Sequence, residues 1–321
     1  YVAKRLEEIL GKKEIDVLVL THVHIDHHGG YKRGGIWSLI ENYGFTFKKY
    51  VDRDIGTYNG KHFSDCDKDT IDWKYVGSSS STAVQWVCYA TSSIDKTKLS
   101  SIREIAQSCS TTQIQPPDAN SEIQIIMHDA LGVNRPKGDP VAANLIDDPE
   151  PPNENDYSIC LRVKYGNFVY ATCGDLDGTF ITSPSLHYYD DIESPTAPMM
   201  GEVDLMNVNH HGSEYSSNEN WTQTLKPTVS VISCGLNNKF NHPHINAMTR
   251  INEISENIFL TNDCYAPSTD PFPNAVKVNG DVIVIVPENG TRFLVKNQDA
   301  TIVKTYVIKK NKAAKTKCKE L

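Results

Sequence analysis

Five ionisable side chains crowd the stretch Thr21-His22-Val23-His24-Ile25-Asp26-His27-His28-Gly29-Gly30. Metal chemistry accounts for that density. His22 and His24 stand two apart, so an extended backbone projects both to one side, where they can grip one cation. Asp26 and His27 fall on the following turn and can face a second. Imidazole suits zinc, iron or manganese, and a carboxylate adds neutralising charge and a bridge to bound water. The plain alternative is a solvated polar turn. A lone histidine would favour that reading, whereas H-x-H-x-D-H after an apolar run does not.

Three further strand ends carry ligand-type residues. Asp175 follows the buried-type run Val169-Tyr170-Ala171, with Gly174 letting the backbone approach closely. A carboxylate there can bridge two cations and set their spacing at ~3.5–4 Å. Alone it would pass for a turn aspartate. His210-His211-Gly212-Ser213 ends another strand. Adjacent residues of a strand face opposite sides, so one histidine binds metal and the other hydrogen-bonds or faces substrate. His128 ends the strand Glu122–Met127 and is a candidate to complete the first site with His22 and His24, a surface histidine being the alternative. His242 and His244 flank Pro243 and can grip a phosphate or carry a proton. His62 and His187 are assigned nothing.

The elements that must position these residues follow from periodicity. Ile15–Leu20 reads as a short buried strand delivering the histidines to the turn. Helices are expected at 1–11, ending at Gly11, at 36–43, at 221–225 and at 246–254, with Ser100–Ser108 also helical. Further strands are expected at 45–52, 122–127, 157–165, 168–173, 203–208, 228–233, 281–286 and 292–296. Hairpin turns fall at Gly166-Asn167 and Asn289-Gly290. Gly132–Asn155 is a proline-rich loop. Strands that both alternate with helices and pair in hairpins imply a mixed sheet with helices outside. The whole of 1–321 is expected to be one domain. Residues 53–120 form an insertion beside the site, either a substrate-covering cap or an embellishment.

Composition sets outer bounds. At 321 residues and 39% apolar content the chain can bury a large core. It holds no apolar run of the ~18 residues a membrane span requires. A formal net charge of −8 argues against broad nucleic-acid binding through a basic surface, though two cations would make the site itself positive. Eight cysteines without a C-x-x-C pair exclude a zinc ribbon and read as free or buried thiols rather than a disulfide framework. The compartment stays open, with the cytoplasm favoured. Tyr1 is the first residue, so the natural N-terminus is expected upstream. The seven lysines between Lys304 and Lys319 read as a solvated, frayed tail.

The T-H-V-H-I-D-H-H-G-G stretch resembles the signature of the metallo-β-lactamase-fold hydrolases. The order N-D-Y-S-I-C-L-R-V-K-Y-G (155–166), C-G-D (173–175), H-H-G-S (210–213) and S-C-G-L-N-N-K-F-N-H-P-H (233–244) resembles the soluble domain of ComEC-type DNA-uptake channel proteins. G-D-L-D with V-D-L-M-N-V-N-H-H resembles the phosphorylcholine esterase module of choline-binding proteins. These resemblances imply an α/β fold, a metallo-β-lactamase-like αββα sandwich with mixed sheets, whose usual first hairpin is missing here. They imply two divalent ions, zinc first and manganese second, held by His22, His24, Asp26, His27 and Asp175. The second of the matching histidines, His211, is the implied sixth ligand, with His210 the alternative. Asp175 stands where many true β-lactamases carry cysteine, which disfavours antibiotic hydrolysis. The implied reaction is phosphodiester or nucleic-acid hydrolysis: cations lower the pKa of water toward ~7, Asp26 orients it, and His210, Ser213, His242 or His244 serves the leaving oxygen. The alternatives are hydrolysis of a small phosphorylcholine-type ester, and a non-catalytic binding module that has kept the fold.

Overall fold

The computed structural model describes residues 1–74, 77, 79–94, 96–130, 153–183, 186–265, 270–288, 290–310, 312, 314 and 316–318. The turn expected at Asn289 and most of the loop 132–155 lie outside them. The centre is a seven-stranded sheet in the order β14 (Val276–Lys277), β13 (Ile258–Leu260), β12 (Val229–Ile232), β11 (Leu205–Asn207), β8 (Phe168–Thr172), β7 (Cys160–Tyr165) and β6 (Ser121–Met127). From β14 to β8 the strands are parallel, and β7 runs antiparallel to both its neighbours. Near-continuous apolar runs in β11 to β13 suit strands covered on both faces.

Register defines those faces. Ile125 pairs with Leu161, Val163 with Tyr170, Tyr170 with Leu205, and Leu205 with Val229, so all lie on one side. At the β6–β7 end this side packs on a parallel sheet of β1 (Glu14–Val19), β2 (Thr46–Asp52) and β5 (Arg103–Ile105), through Val17, Val19 and Val51. Farther along it packs on an antiparallel sheet of β15 (Ile283–Ile285), β16 (Arg292–Lys296) and β17 (Val303–Val307), through Phe293 and Val295. The opposite side carries Val169, Ala171, Met206 and Ile232. It is covered by the helices Glu193–Met200, Glu219–Leu225 and Ile245–Ile254, with Trp221 and Met248 at the contact. The outer face of the β1-β2-β5 sheet buries Leu20 and Tyr50 under the helices Gly35–Glu41 and Ser81–Thr91. The layers therefore run helix, sheet, sheet, helix: an α/β sandwich.

Among the described residues no hairpin precedes β1; the helix Val2–Leu10, ended by left-handed Gly11 at φ 64°, leads into it. The C-terminal strands complete that layer instead, and Arg5 Nε fastens the first helix to Asp281 at 2.7 Å. Residues 53–120 contribute β5, the helix Ser81–Thr91, and a hairpin of β3 (Gly56–Tyr58) and β4 (Ile71–Trp73). Another hairpin, β9 (Gly178–Ser183) with β10 (Leu186–Asp191), follows the site aspartate. Of Ser100–Ser108 only Ser100–Ile102 is helical, as a single 3-10 turn, and Arg103–Ile105 is a strand. Arg103 is drawn onto the buried carboxylate of Asp52 at 2.9 Å, and the strand it anchors pairs with β2.

The cysteine and tail expectations are corrected together. All eight cysteines are paired, as Cys66–Cys88, Cys109–Cys318, Cys160–Cys173 and Cys234–Cys264. Sequence spacing concealed this because neighbouring strands and a returning tail make the pairs. Where it is described, the tail is tied down: β17 pairs with β16, Lys312 Nζ reaches buried Asp204, and Cys318 closes on Cys109. Alkylation of the denatured, unreduced protein should therefore label no cysteine. Replacing Cys109 and Cys318 by serine together should lower stability by ~3–5 kcal/mol, read from denaturant unfolding. Labelling at several thiols would contradict the pairing.

Candidate metal centre

The histidine turn is fixed from beneath by a buried ion pair. Leu20 N–H donates to Val51 O at 2.9 Å and Ile159 N–H to Thr21 O at 3.0 Å, so the end of β1 is gripped by both sheets. Val23 N–H, between the two histidines, donates to Glu154 Oε1 at 2.7 Å. Arg53 holds that carboxylate with Nε at 2.8 Å and Nη2 at 2.5 Å, and its Nη1 lies 3.3 Å from Asp129. All three charged side chains are buried. Burial pushes the Asp129 carboxyl up to about 7, with Arg53 opposing the shift. His24 then caps the short helix Ile25–His28, which presents Asp26 and His27. Gly29 closes the turn at φ 78°, where a Cβ would meet Gly35 Cα at 2.4 Å.

Asp175 comes from the end of β8. Left-handed Gly174 (φ 57°) passes so near Thr21 that a Cβ would lie 2.6 Å from its hydroxyl. Asp175 Oδ1 is 3.1 Å from His27 Nε2, and Oδ2 is 3.7 Å from His22 Nε2 and 3.6 Å from His211 Nε2. His22 Nε2 and His24 Nδ1 are 3.2 Å apart, and His211 Nε2 is 3.5 Å from Asp26 Oδ2. Two sets of donors result, each within 4.8 Å: His22, His24 and Asp175; and Asp26, His27, His211 and Asp175. Nε2 of His27 and of His211 are buried without an aligned hydrogen-bond partner, so these atoms converge on shared points rather than on one another. Imidazoles and carboxylates in this arrangement fit borderline cations such as zinc or manganese.

The charges are mutually adjusted. Burial holds the His22 imidazole well below its ordinary range. Burial alone would raise Asp175, but His27, His22 and His211 hold it below the usual carboxylate range. Burial also opposes charge on His211, yet Asp26 and Asp175 raise it to about 9.

His210 and His211 do not alternate along a strand. β11 stops at Asn207, and both histidines adopt left-handed backbone, at φ 48° and 53°. The turn sends His211 into the second donor set. Its Nδ1 lies 3.0 Å from Ser233 O, a contact that leaves Nε2 free to face a cation. His210 turns the other way, with Nδ1 2.9 Å from buried Asp177 and 3.2 Å from Asn155 Nδ2. The strained turn is clamped. Buried Glu193 accepts from Asn209 Nδ2 at 2.7 Å and from the N–H groups of Ser217 and Asn218 at 2.6 and 2.7 Å. Arg250 donates to Ser216 O and Ser217 O, both at 2.8 Å.

His128 is a correction: its Nδ1 lies 2.8 Å from the Ser108 hydroxyl, beside Asp129, and it belongs to neither donor set. β6 ends against the loop carrying Ser108, not against the histidine turn. His242 and His244 line the cavity above the cluster together with Asn155, His210 and Ser213; its volume is about 670 Å³. His244 also caps the helix Ile245–Ile254. Sequence reasoning missed Glu154, Glu193 and Asp177. Only Asp177 had a local signal, the second carboxylate of G-D-L-D.

An α/β sandwich with carboxylate-sharing histidine clusters at its strand ends describes the class. No family model matches the chain. It is similar to ComE operon protein 3 of Bacillus subtilis, 30% identical over 96 residues that make up 30% of this chain and 11% of that one. It is also similar to Recombination protein 2 of Haemophilus influenzae, 36% identical over 55 residues, or 17% of this chain and 7% of that one. The matched stretches thus span about a tenth or less of these relatives. Among the described residues no helix is long and apolar enough to cross a membrane.

Metal analysis of Asp175→Ala should show both sites emptied from about two equivalents, whereas His211→Ala should empty only the second. His210→Ala should keep its metal and slow the hydrolysis proposed below by the ~10²–10⁴-fold of a lost proton donor. Metal addition at pH 7 should release protons, because a His211 raised to about 9 is protonated there; binding should weaken as pH falls. Metal loss in His210→Ala but not in His211→Ala would reverse the assignment. Separately, Glu154→Ala should cost ~3–5 kcal/mol, since it strands a buried Arg53. Unfolding of the variant at the wild-type midpoint would show the pair to be dispensable.

Proposed function

We propose that this protein is a dinuclear, metal-dependent hydrolase of phosphodiester bonds, with a nucleic-acid substrate ahead of small esters. The observation that carries the reading is Asp175, which reaches both donor sets with its two oxygens. Two cations held there would bring a water toward neutral pKa and offset charge building on phosphoryl oxygens. The chain's own groups supply the rest. Asp26, partly exposed at the cavity, orients the attacking water. His210, with Asp177 behind its Nδ1, lines the same cavity and is placed to give a proton to the leaving oxygen. His242, which burial and nearby His210 push down to about 4, enters neutral and accepts hydrogen bonds. Similarity to a relative named for recombination supports DNA as the substrate class. Pairing of all eight cysteines further supports a working place in an oxidising compartment rather than the cytoplasm first favoured.

Bis-p-nitrophenyl phosphate, single-stranded DNA and phosphocholine esters, each tested with zinc or manganese, decide between the readings. The expected result is metal-dependent cleavage of DNA and of the model diester, lost in Asp175→Ala. Turnover of phosphocholine esters alone would replace the nuclease reading with the small-ester one. No turnover of any by metal-replete protein would leave a binding module.

A further inference from the structure

A large aromatic side chain stands open at the rim of the cavity. Phe240 is 64% exposed on the loop between β12 and the helix Ile245–Ile254. One face of its ring lies near-parallel to His242, at 5.7 Å and 16°. His242 in turn meets His210 edge-on at 5.2 Å, one residue from the ligand His211. The loop is held in place. Asn238 Nδ2 donates to Gly235 O at 2.9 Å and to His242 O at 2.6 Å, while its Oδ1 accepts from His242 N at 2.8 Å. The ring is therefore positioned before anything binds. An exposed ring held in place beside the cavity is accessible to a ligand that enters it.

Lys239 Nζ also lies over the ring, 4.7 Å from the centroid. That cation discriminates between the ligands a phosphodiesterase could take. A choline headgroup would need the aromatic face for its own quaternary ammonium, and a cation already waits there. A nucleobase must also displace the lysine, but it brings no positive charge against the ammonium. It displaces the exposed lysine from a weak contact, stacks on the ring, and leaves the ammonium beside the adjoining phosphate. Bases in a duplex are already stacked, so the platform suits unpaired ones.

We propose that Phe240, backed by His242 and flanked by Lys239, is a stacking platform for a nucleobase next to the scissile phosphate, which makes single-stranded nucleic acid the substrate. The proposal rests on the phosphodiesterase reading, and its test is separable from it. Binding of a fluorescent, phosphorothioate-linked single-stranded oligonucleotide to metal-replete protein is measured by anisotropy, alongside an abasic oligonucleotide of the same length. Phe240→Ala should lower the preference for bases over abasic sites by roughly 5- to 150-fold, and Phe240→Trp should restore it. Equal weakening of both oligonucleotides, or of neither, would overturn the platform. Displacement of the oligonucleotide by phosphocholine in wild type but not in Phe240→Ala would overturn it in favour of choline. A Phe240-dependent base preference in a protein that cleaves none of the diesters would sink the hydrolase while the platform stood.

Discussion

Everything in this structure answers to the placement of one carboxylate. Asp175 is almost wholly buried and faces three imidazoles within 3.7 Å, on segments that enter from the end of β1 and the end of β11. A charge so placed must be compensated, because a lone carboxylate cannot bear transfer from water. The protein meets that demand with three imidazoles, and the facing nitrogens of His27 and His211 lack aligned partners of their own. The donors are therefore organised around points in space that cations would occupy, and both central sheets must meet at that edge for the points to exist.

Holding them there puts charge and strain beneath the surface. The histidine turn hangs from Glu154, whose carboxylate Arg53 grips in the core. Such a pair adds little to stability beyond a well-packed apolar alternative, so positional precision is the better account of it. The opposite wall uses backbone strain: two consecutive left-handed histidines, restrained by Glu193 on one side and Arg250 on the other. Sparsely populated backbone survives only where its surroundings over-determine it. Here it lets neighbouring residues do separate work, one in the donor set and one above it.

The disulfides extend the same logic to the periphery. Cys234–Cys264 ties the loop after β12, whose Ser233 carbonyl orients His211, to the loop after β13. Cys109–Cys318 fastens the tail to the loop preceding β6. Both bridges end in the apolar layer that the helices Glu193–Met200, Glu219–Leu225 and Ile245–Ile254 make with the seven-stranded sheet.

From the sequence alone, the metal-type turn, Asp175, and most strands and helices near them could be read, because H-x-H-x-D-H, a glycine before an aspartate and apolar periodicity are local properties. The strand Arg292–Lys296 and the helix ended by Gly11 were equally local. Tertiary structure alone decided what depended on partners far along the chain. His128 had the right residue type and strand position, and fell beside Ser108 because β6 ends against a different loop. His211 and His210 were separated by a left-handed turn that no alternation rule describes. Cysteine spacing concealed four bridges, and Glu154 and Glu193 carried no local mark, since a buried carboxylate is defined by the donors that surround it. Those donors come from residues 16 to 131 positions away, and only folding brings them together.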